Sequence, residues 1–287
     1  MKRKTSLLLT ITTLVLNLFT IQNLWAQKEL ELEEEERYVS IRHEQTDFYE
    51  DFGTETEEAY DSVNFNVLDY IKTNLAPHRS YKAEKCHLSK EIYGYHPYWF
   101  GASYYNQYDY NLLSTFIYFS YELDYNTGGY KSIHSWKTTN SINLAKKAGC
   151  KVELCVSNFG GYRNNKFLSN RKSWARLATN LIALLDYRDA DGINLDFENV
   201  RNSDKDKLTN FVIYLHSRFE KERPGTSISM AVPGLNNYNT YDITAMNHYL
   251  SKVIIMAYDY HYSSSKHAGA VAPLDGYLSL KTTLNNY

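Results

Sequence analysis

The sequence predicts an α/β fold in which parallel strands alternate with helices, and three observations support it. Short apolar or aromatic runs recur between residues 91 and 260. Two segments between these runs repeat apolar residues at helical spacing. One run, residues 190–198, alternates strictly between apolar and polar side chains, as a strand with two different faces does. Strands that alternate with helices form a parallel sheet with right-handed crossovers, either a doubly wound sheet or a (β/α) barrel.

The chain divides by composition into three parts. Residues 1–26 carry Lys2, Arg3 and Lys4 before a short apolar run, which predicts a cleaved signal peptide and export to the periplasm or the cell exterior. A membrane anchor is less favoured, because Thr and Asn interrupt the run. Residues 27–89 are acidic and polar, which is typical of a poorly ordered arm or linker. Residues 90–287 carry the strand and helix patterns and are expected to form the folded domain.

Six strands are predicted in that domain, at residues 91–99, 114–123, 151–157, 190–198, 227–232 and 252–260. Two helices are indicated by apolar residues on one face, the first by Trp174, Leu177, Ala178, Leu181 and Leu185, and the second by Leu208, Phe211, Val212, Leu215 and Phe219. No Gly-x-Gly-x-x-Gly follows the first strand, so the nucleotide-binding doubly wound sheet loses its main support. The barrel is therefore favoured.

Composition and charge limit the classes of molecule that the protein is expected to bind. The formal net charge of −2 gives no electrostatic case for a nucleic-acid partner. The 27 tyrosines suit contact with flat sugar rings, although they suit ordinary barrel packing as well. The three cysteines match no zinc pattern and His-Glu-x-x-His is absent, so no metal or other cofactor is expected. His96, His261 and His267 fall near predicted loops and are expected at the surface.

The strand at 190–198 carries the chemistry that needs an explanation. Asn194, Asp196 and Glu198 share one face, with neighbours roughly 7 Å apart. Crowded carboxylates cost electrostatic free energy without helping a core, which favours a functional site. A solvated surface strand and a calcium loop are the alternatives, but Gly192 directly follows the first Asp and the alternation is unbroken, unlike a calcium loop. Chemistry in (β/α) barrels collects at the carboxyl ends of strands, where Glu198 would lie.

Four motifs make residues 90–287 similar to glycoside hydrolase family 18, the chitinase family. The family signature Asp-x-x-Asp-x-Asp-x-Glu is matched by Asp191, Asn194, Asp196 and Glu198, with Asn194 as the one departure. Residues 157–161 resemble Ser-x-Gly-Gly with one extra residue. The remaining matches are Met-x-Tyr-Asp at residues 256–259 and a first strand with Gly94, Tyr95 and Trp99.

The resemblance implies a TIM-type (β/α)8 barrel and the hydrolysis of β-1,4 bonds next to N-acetylglucosamine. The substrate would be chitin, a peptidoglycan-type glycan or the core of an N-linked glycan. In this family the 2-acetamido oxygen of the sugar attacks its own anomeric carbon, so catalysis is retaining and substrate-assisted. The implied roles are Glu198 as general acid, Asp196 as the group that binds the acetamido N–H, and Tyr258 as the donor to the acetamido carbonyl. Asn194 and Asp191 complete the catalytic set.

Further residues are candidates for substrate binding. They are Tyr95, Trp99, Tyr121, Gly160, Gly161, Met256, Asp259 and Tyr260. The aromatic residues among them could equally be plain core. Because Asn194 cannot ionise, Asp196 should ionise more readily, and a pH optimum shifted toward acid is expected relative to proteins with Asp at this position.

Two alternatives to an active enzyme remain open. A non-catalytic protein of the same fold would bind chitin or N-acetylglucosamine, and in either case the partner is a glycan, with no membrane anchor once the signal is removed. The second alternative is an inactive fragment. Residues 261–287 are too few for two more strands and a helix, so about six of eight strands and an incomplete barrel are expected.

Overall fold

The fold is seen in a computed structural model that describes residues 89–236, 239–262, 265 and 267–286. The predicted signal peptide and nearly all of the predicted arm lie outside these residues, so both stay predictions. Within the described part of the chain, no helix has the length and apolar character needed to cross a bilayer.

A single sheet forms the centre of the described domain. Its six parallel strands are ordered β1-β2-β4-β5-β6-β7 and form a curled half-barrel. The strands are β1 Tyr93–Pro97, β2 Thr115–Leu123, β4 Lys151–Phe159, β5 Gly192–Glu198, β6 Ser227–Pro233 and β7 Lys252–Met256. The short strand β3, Tyr130–Ser132, pairs antiparallel with β2 and was not predicted. The six predicted strands and the incomplete (β/α) barrel are therefore confirmed.

Helices connect the parallel strands and cover one face of the sheet. They are α1 Ala102–Tyr105, α2 Ser141–Lys147, α3 Gly161–Leu168, α4 Arg171–Arg188, α5 Lys205–Glu222, α6 Ile243–Met246 and α7 Leu280–Asn286. Single 3₁₀ turns lie at Tyr110–Leu112, Asn202–Asp204 and Asn247–Tyr249. Helices α4 and α5 are the two that the apolar spacing predicted, and their apolar stripes are buried against the sheet.

The two faces of the sheet have different neighbours. Side chains such as Val152 and Leu154 of β4 pack into the main core with the helices. On the opposite, inner face, Ile117, Phe119 and Cys155 form a smaller apolar cluster. In β5 the alternation puts Ile193, Leu195 and Phe197 under the helices. Asn194, Asp196 and Glu198 therefore belong to the inner face.

The amino-terminal ends of the two outermost parallel strands approach each other. The ammonium of Lys252, the first residue of β7, lies 2.6 Å from a carboxylate oxygen of Glu91, two residues before β1. It also lies 6.0 Å from the centre of the Tyr93 ring. This contact joins strands that are far apart in the hydrogen-bonded order, as a curled sheet permits.

His96 corrects one expectation from the sequence. Its side chain is only 2% exposed and is surrounded by the rings of Tyr105, Tyr108, Phe116 and Tyr118. The reason is its parity in β1, which turns it to the helix-covered face, whereas Tyr95 faces inward. Burial lowers the pKa of His96 to about 4. The imidazole is therefore neutral near pH 7.

Candidate active site

The carboxyl end of β5 presents two acidic side chains on the inner face. Asp196 is buried and Glu198 is half-buried. Asp196 lies in register between Ser157 of β4 and Ala231 of β6, both of which are small. Small neighbours leave room above Asp196 at the end of the sheet where barrel chemistry takes place. The structure therefore brings the proposed acid and its companion to one edge, as predicted from the alternation.

Tyr95 of β1 joins this group across the inner face. Its hydroxyl donates a hydrogen bond to Asn194 Oδ1 at 3.1 Å. Burial raises the pKa of Tyr95, and nearby Cys155, Asp196 and Tyr258 raise it further. The hydroxyl thus keeps its proton at neutral pH. Asp196 and Tyr258 therefore lie near enough to Tyr95 to influence its ionisation.

The segment after β7 carries the second half of the site. Met256 ends β7, and its parity with Ile254 turns it to the inner face. Tyr258 is 52% exposed and accessible to a ligand. Burial raises the pKa of the Asp259 carboxyl, whose backbone is left-handed at φ 59.

Tyr260 takes part in packing rather than lining the cleft. It is buried, and its hydroxyl contacts Thr283 of α7. Thr283 in turn donates to the carbonyl of Gly234 at 2.6 Å. The predicted substrate contact for Tyr260 does not fit this placement, because the residue connects α7 to the end of β6.

Gly160 and Gly161 form the turn between β4 and α3. Gly160 has a φ of 97, which favours glycine, and its N–H donates to the carbonyl of Glu198 at 3.1 Å. A Cβ on Gly161 would lie 2.8 Å from Nε of Arg201. Gly160 thus hydrogen-bonds the end of β5 at Glu198, and Gly161 leaves room for the Arg201 side chain. Their contact with substrate stays a prediction.

Trp99 lies just after β1 beside the inner apolar cluster. Its ring stands edge-on to Phe119, with centroids 6.0 Å apart. This position is compatible with a wall of the cleft, and the role as a sugar contact stays a prediction.

Tyr121 does not face the cleft. Its side chain is fully buried in the main core, and its hydroxyl donates to the carbonyl of Gly128 at 3.1 Å. The pairing of β2 with β4 shifts register between Phe119 and Tyr121. This shift reverses the alternation, so Tyr121 points to the helices and the predicted substrate contact does not fit.

Asp191 lies at the opposite end of β5 from Glu198. Seven positions separate them, about 23 Å along an extended strand. The Asp191 carboxylate accepts the N–H of Val152 at 2.7 Å, and its own N–H donates to the carbonyl of Val152. Asp191 therefore anchors the start of β5 to β4, and the predicted catalytic role does not fit.

A buried polar network below the acids was missed by sequence reasoning. Glu153 of β4 accepts hydrogen bonds from Ser227 Oγ at 2.8 Å and Ser229 Oγ at 2.5 Å. Asn194 Nδ2 donates to Ser229 Oγ at 2.8 Å. The available signal was a glutamate at an inner-face position, flanked in sequence by the apolar Val152 and Leu154. Among the described residues, no group of three or more His, Cys, Asp or Glu side chains is placed to hold a metal ion.

Comparison with known proteins adds a family match. The family described as glycosyl hydrolases family 18 matches residues 91–287. The uncharacterized glycosylase YvbX of Bacillus subtilis is 28% identical over 135 residues, which are 43% of this chain and 39% of that protein. The putative sporulation-specific glycosylase YdhD of the same organism is 30% identical over 115 residues, 38% of this chain and 27% of that protein. The matched region thus spans well under half of either relative.

Solved structures share the fold. The second catalytic domain of the group II chitinase from Ostrinia furnacalis has a TM-score of 0.59 and 22% identity, over 68% of this chain and 59% of that one. A GH18 chitinase from Cycas revoluta in complex with (GlcNAc)3 has a TM-score of 0.60 and 19% identity, over 68% and 63%. At such identities the likeness concerns the fold alone. It confirms the predicted incomplete TIM-type barrel.

Proposed function

Because the chain belongs to glycosyl hydrolase family 18, we propose that it hydrolyses β-1,4 glycosidic bonds next to N-acetylglucosamine. The observation that carries the proposal is the arrangement at the carboxyl end of β5, where Asp196 and Glu198 share the inner face with Tyr95, which also lies near the exposed Tyr258. A core has no use for such a group, whereas acid catalysis on a sugar needs one.

In the proposed mechanism, the 2-acetamido group of the substrate takes the place of a second carboxylate nucleophile. Glu198 donates a proton to the leaving glycosidic oxygen as the acetamido oxygen bonds to the anomeric carbon. The resulting cyclic intermediate carries positive charge, which the carboxylate of Asp196 stabilises while it accepts the acetamido N–H. Tyr258 donates to the acetamido oxygen and orients it. Glu198 then removes a proton from the water that opens the ring.

The proposed substrate is a polymer that contains N-acetylglucosamine. The Cycas revoluta structure holds (GlcNAc)3, and one Bacillus relative bears a sporulation-specific name, so chitin and peptidoglycan-type glycans are both worth testing. A panel of chito-oligosaccharides and purified glycan strands separates these two, and release of product from one class alone assigns the substrate.

Replacing Glu198 by Gln tests the catalytic role. The Gln side chain keeps the size and loses the transferable proton, so turnover of a fluorogenic chitobioside should fall by roughly 10²- to 10⁴-fold. Binding of chitotetraose, measured by calorimetry, should change little, because the amide still fits. Equal rates for the wild type and Glu198→Gln would eliminate this role and favour a non-catalytic sugar-binding protein.

We further propose that the protein is exported, from the basic and apolar pattern of residues 1–26. Expression of the full chain, followed by fractionation and amino-terminal sequencing, tests this. A mature protein that begins at Gln27 outside the cytoplasm is expected, and an uncleaved protein retained in the cytoplasm would contradict it.

A further inference from the structure

Glu153 is a carboxylate enclosed on the inner face of the sheet, below the proposed acids. Its side chain is 2% exposed, and it sits between Val152 and Leu154, which point into the helix-side core. Burial raises the pKa of Glu153, and the hydrogen bonds from Ser229 and Ser227 oppose that rise. A buried carboxylate is costly unless it is satisfied in this way, so its presence needs a reason.

Glycine at position 192 allows Glu153 to reach past a whole strand. In register, Gly192 of β5 lies between Glu153 of β4 and Ser227 of β6. A Cβ at position 192 would lie 1.9 Å from Ser227 Oγ. Because glycine has no Cβ, the Glu153 side chain can cross over β5 and bind both serines of β6.

Each hydroxyl has one hydrogen to donate, and this sets the direction of the hydrogen bonds that lead from Glu153 to Tyr95. Both Glu153 oxygens accept, one from Ser227 and one from Ser229, so Ser229 gives its single hydroxyl hydrogen to Glu153. Ser229 Oγ can then only accept from its other neighbour, which requires the NH₂ end of the Asn194 amide. The carbonyl end of that amide consequently faces Tyr95, whose hydroxyl donates to it.

This order has a consequence for the acid beside the substrate. With its hydrogen committed to Asn194, the Tyr95 hydroxyl does not donate to the nearby carboxylate of Asp196. If the Asn194 amide were turned over, its NH₂ would face Tyr95, and the Tyr95 hydrogen would be able to turn toward Asp196, whose charge is near enough to raise the pKa of Tyr95. It would then compete with the acetamido N–H of the substrate.

We infer that Glu153 is a positioning residue, which sets the orientation of the Asn194 amide through Ser229 and so keeps the Tyr95 hydroxyl from competing for Asp196. The inference rests on the function proposed above, because it concerns the same site. The sequence motif that carries the acids contains none of the residues that impose this order, which are Glu153 and Ser229.

Three variants test the direction of the bonds. Glu153→Gln keeps the shape but lets residue 153 donate to Ser229, so the order can reverse, and turnover of the chitobioside should fall roughly tenfold, mainly in kcat. Asn194→Asp gives Ser229 two carboxylates and one hydrogen, so activity and Tm should also fall. In the double variant Glu153→Gln/Asn194→Asp, the new amide at position 153 donates to Ser229. Ser229 then donates to the new carboxylate at position 194, which still accepts from Tyr95. The double variant should recover turnover and Tm beyond the better single variant.

The control is Ser173→Ala. Ser173 of α4 is equally buried, and its hydroxyl donates to the carbonyl of Asn126, in the turn between β2 and β3, at 3.2 Å. We expect it to lower Tm and leave kcat unchanged, whereas Ser229→Ala should lower kcat as Glu153→Gln does. If Glu153 served packing alone, the losses of turnover and Tm in the two single variants would add in the double variant.

The outcomes separate this inference from the proposed function. If the wild type exceeds Glu198→Gln in rate while the losses in the double variant are additive, the role of Glu153 is overturned and the function stands. If the wild type and Glu198→Gln have equal rates, the function fails. In that case the affinity of the same variants for chitotetraose, measured by calorimetry, tests the role of Glu153. Recovery of affinity in the double variant supports the ordered network, and additive losses of affinity overturn it.

Discussion

Asn194 supplies hydrogen bonds at a place where a carboxylate would add charge. It lies two residues from Asp196 on the same strand face and is fully buried. Asn194→Asp places a second anion near Asp196 and Glu198, and a like charge favours protonation of its neighbours. We expect the pH–rate profile to move toward higher pH, by roughly one unit.

The measurement is kcat/KM for the fluorogenic chitobioside between pH 3 and 9, with each variant checked for folding by circular dichroism. Asn194→Ser is the matched control, because it changes the hydrogen bonds without adding a charge. An unmoved profile in Asn194→Asp would show that charge at this position does not set the pH dependence.

His96 links stability to pH. Burial lowers its pKa from 6.5 to about 4 in the folded protein, so the unfolded chain takes up a proton at a higher pH than the folded one. The contribution of His96 to the free energy of unfolding is therefore fully present above about pH 6.5. It is lost as the pH drops to about 4, by roughly 3 kcal/mol in total.

Urea unfolding of the wild type and His96→Phe at pH 7.5, 6, 5 and 4 measures this loss. The Phe variant lacks the titrating group and should lose less stability across the range, whatever its stability at pH 7.5. His267→Phe, at an exposed position, is the control that should follow the wild type. A His96→Phe curve parallel to the wild type would contradict the assignment.

At the scale of the element, the residue at the start of β5 stabilises the fold, and the residues at its end carry the proposed chemistry. Asp191 at its start accepts the N–H of Val152, far from Glu198 at its finish. Asp191→Ala should lower the free energy of unfolding by about 1 kcal/mol, through the lost hydrogen bond, and leave kcat within a few-fold of the wild type. Thermal unfolding and chitobioside turnover measure both. A loss of kcat as large as that of Glu198→Gln, without a change in stability, would restore a catalytic role to Asp191.

The strands were predictable because each is a short local run of apolar or aromatic residues, and one of them, at 190–198, also alternates between apolar and polar side chains. The residues at 190–198 alone indicated that Asp196 and Glu198 share a face. Tyr121 was misplaced because a register shift in the pairing of β2 with β4 changes the face, and that pairing is not visible in either strand alone. Glu153 had no predicted role for a related reason, since its partners are two strands away and are reached only across Gly192.

At the scale of the whole molecule, we expect stability to be graded across the described sheet. β4 and β5 have a hydrogen-bonded strand on each side and are buried along most of their length, whereas β1 and β7 lie at its two edges. Amides that open only with global unfolding exchange slowest. Hydrogen exchange followed by mass spectrometry should find peptides from β4 and β5 the slowest and those from β7 and residues 271–286 much faster. Uniform protection across all six parallel strands would contradict this gradient.

The separate roles of Asp191 and Glu198 in β5 predict which of the two residues is kept when such proteins diverge. The hydrogen bond of Asp191 serves the backbone, so selection for a folded chain maintains it even when selection for catalysis has ceased. Descendants that have become lectins should therefore keep the first aspartate of the motif and lose the last glutamate. The first aspartate in a genome sequence thus reports ancestry, and the terminal glutamate is the residue to inspect before an enzyme is inferred.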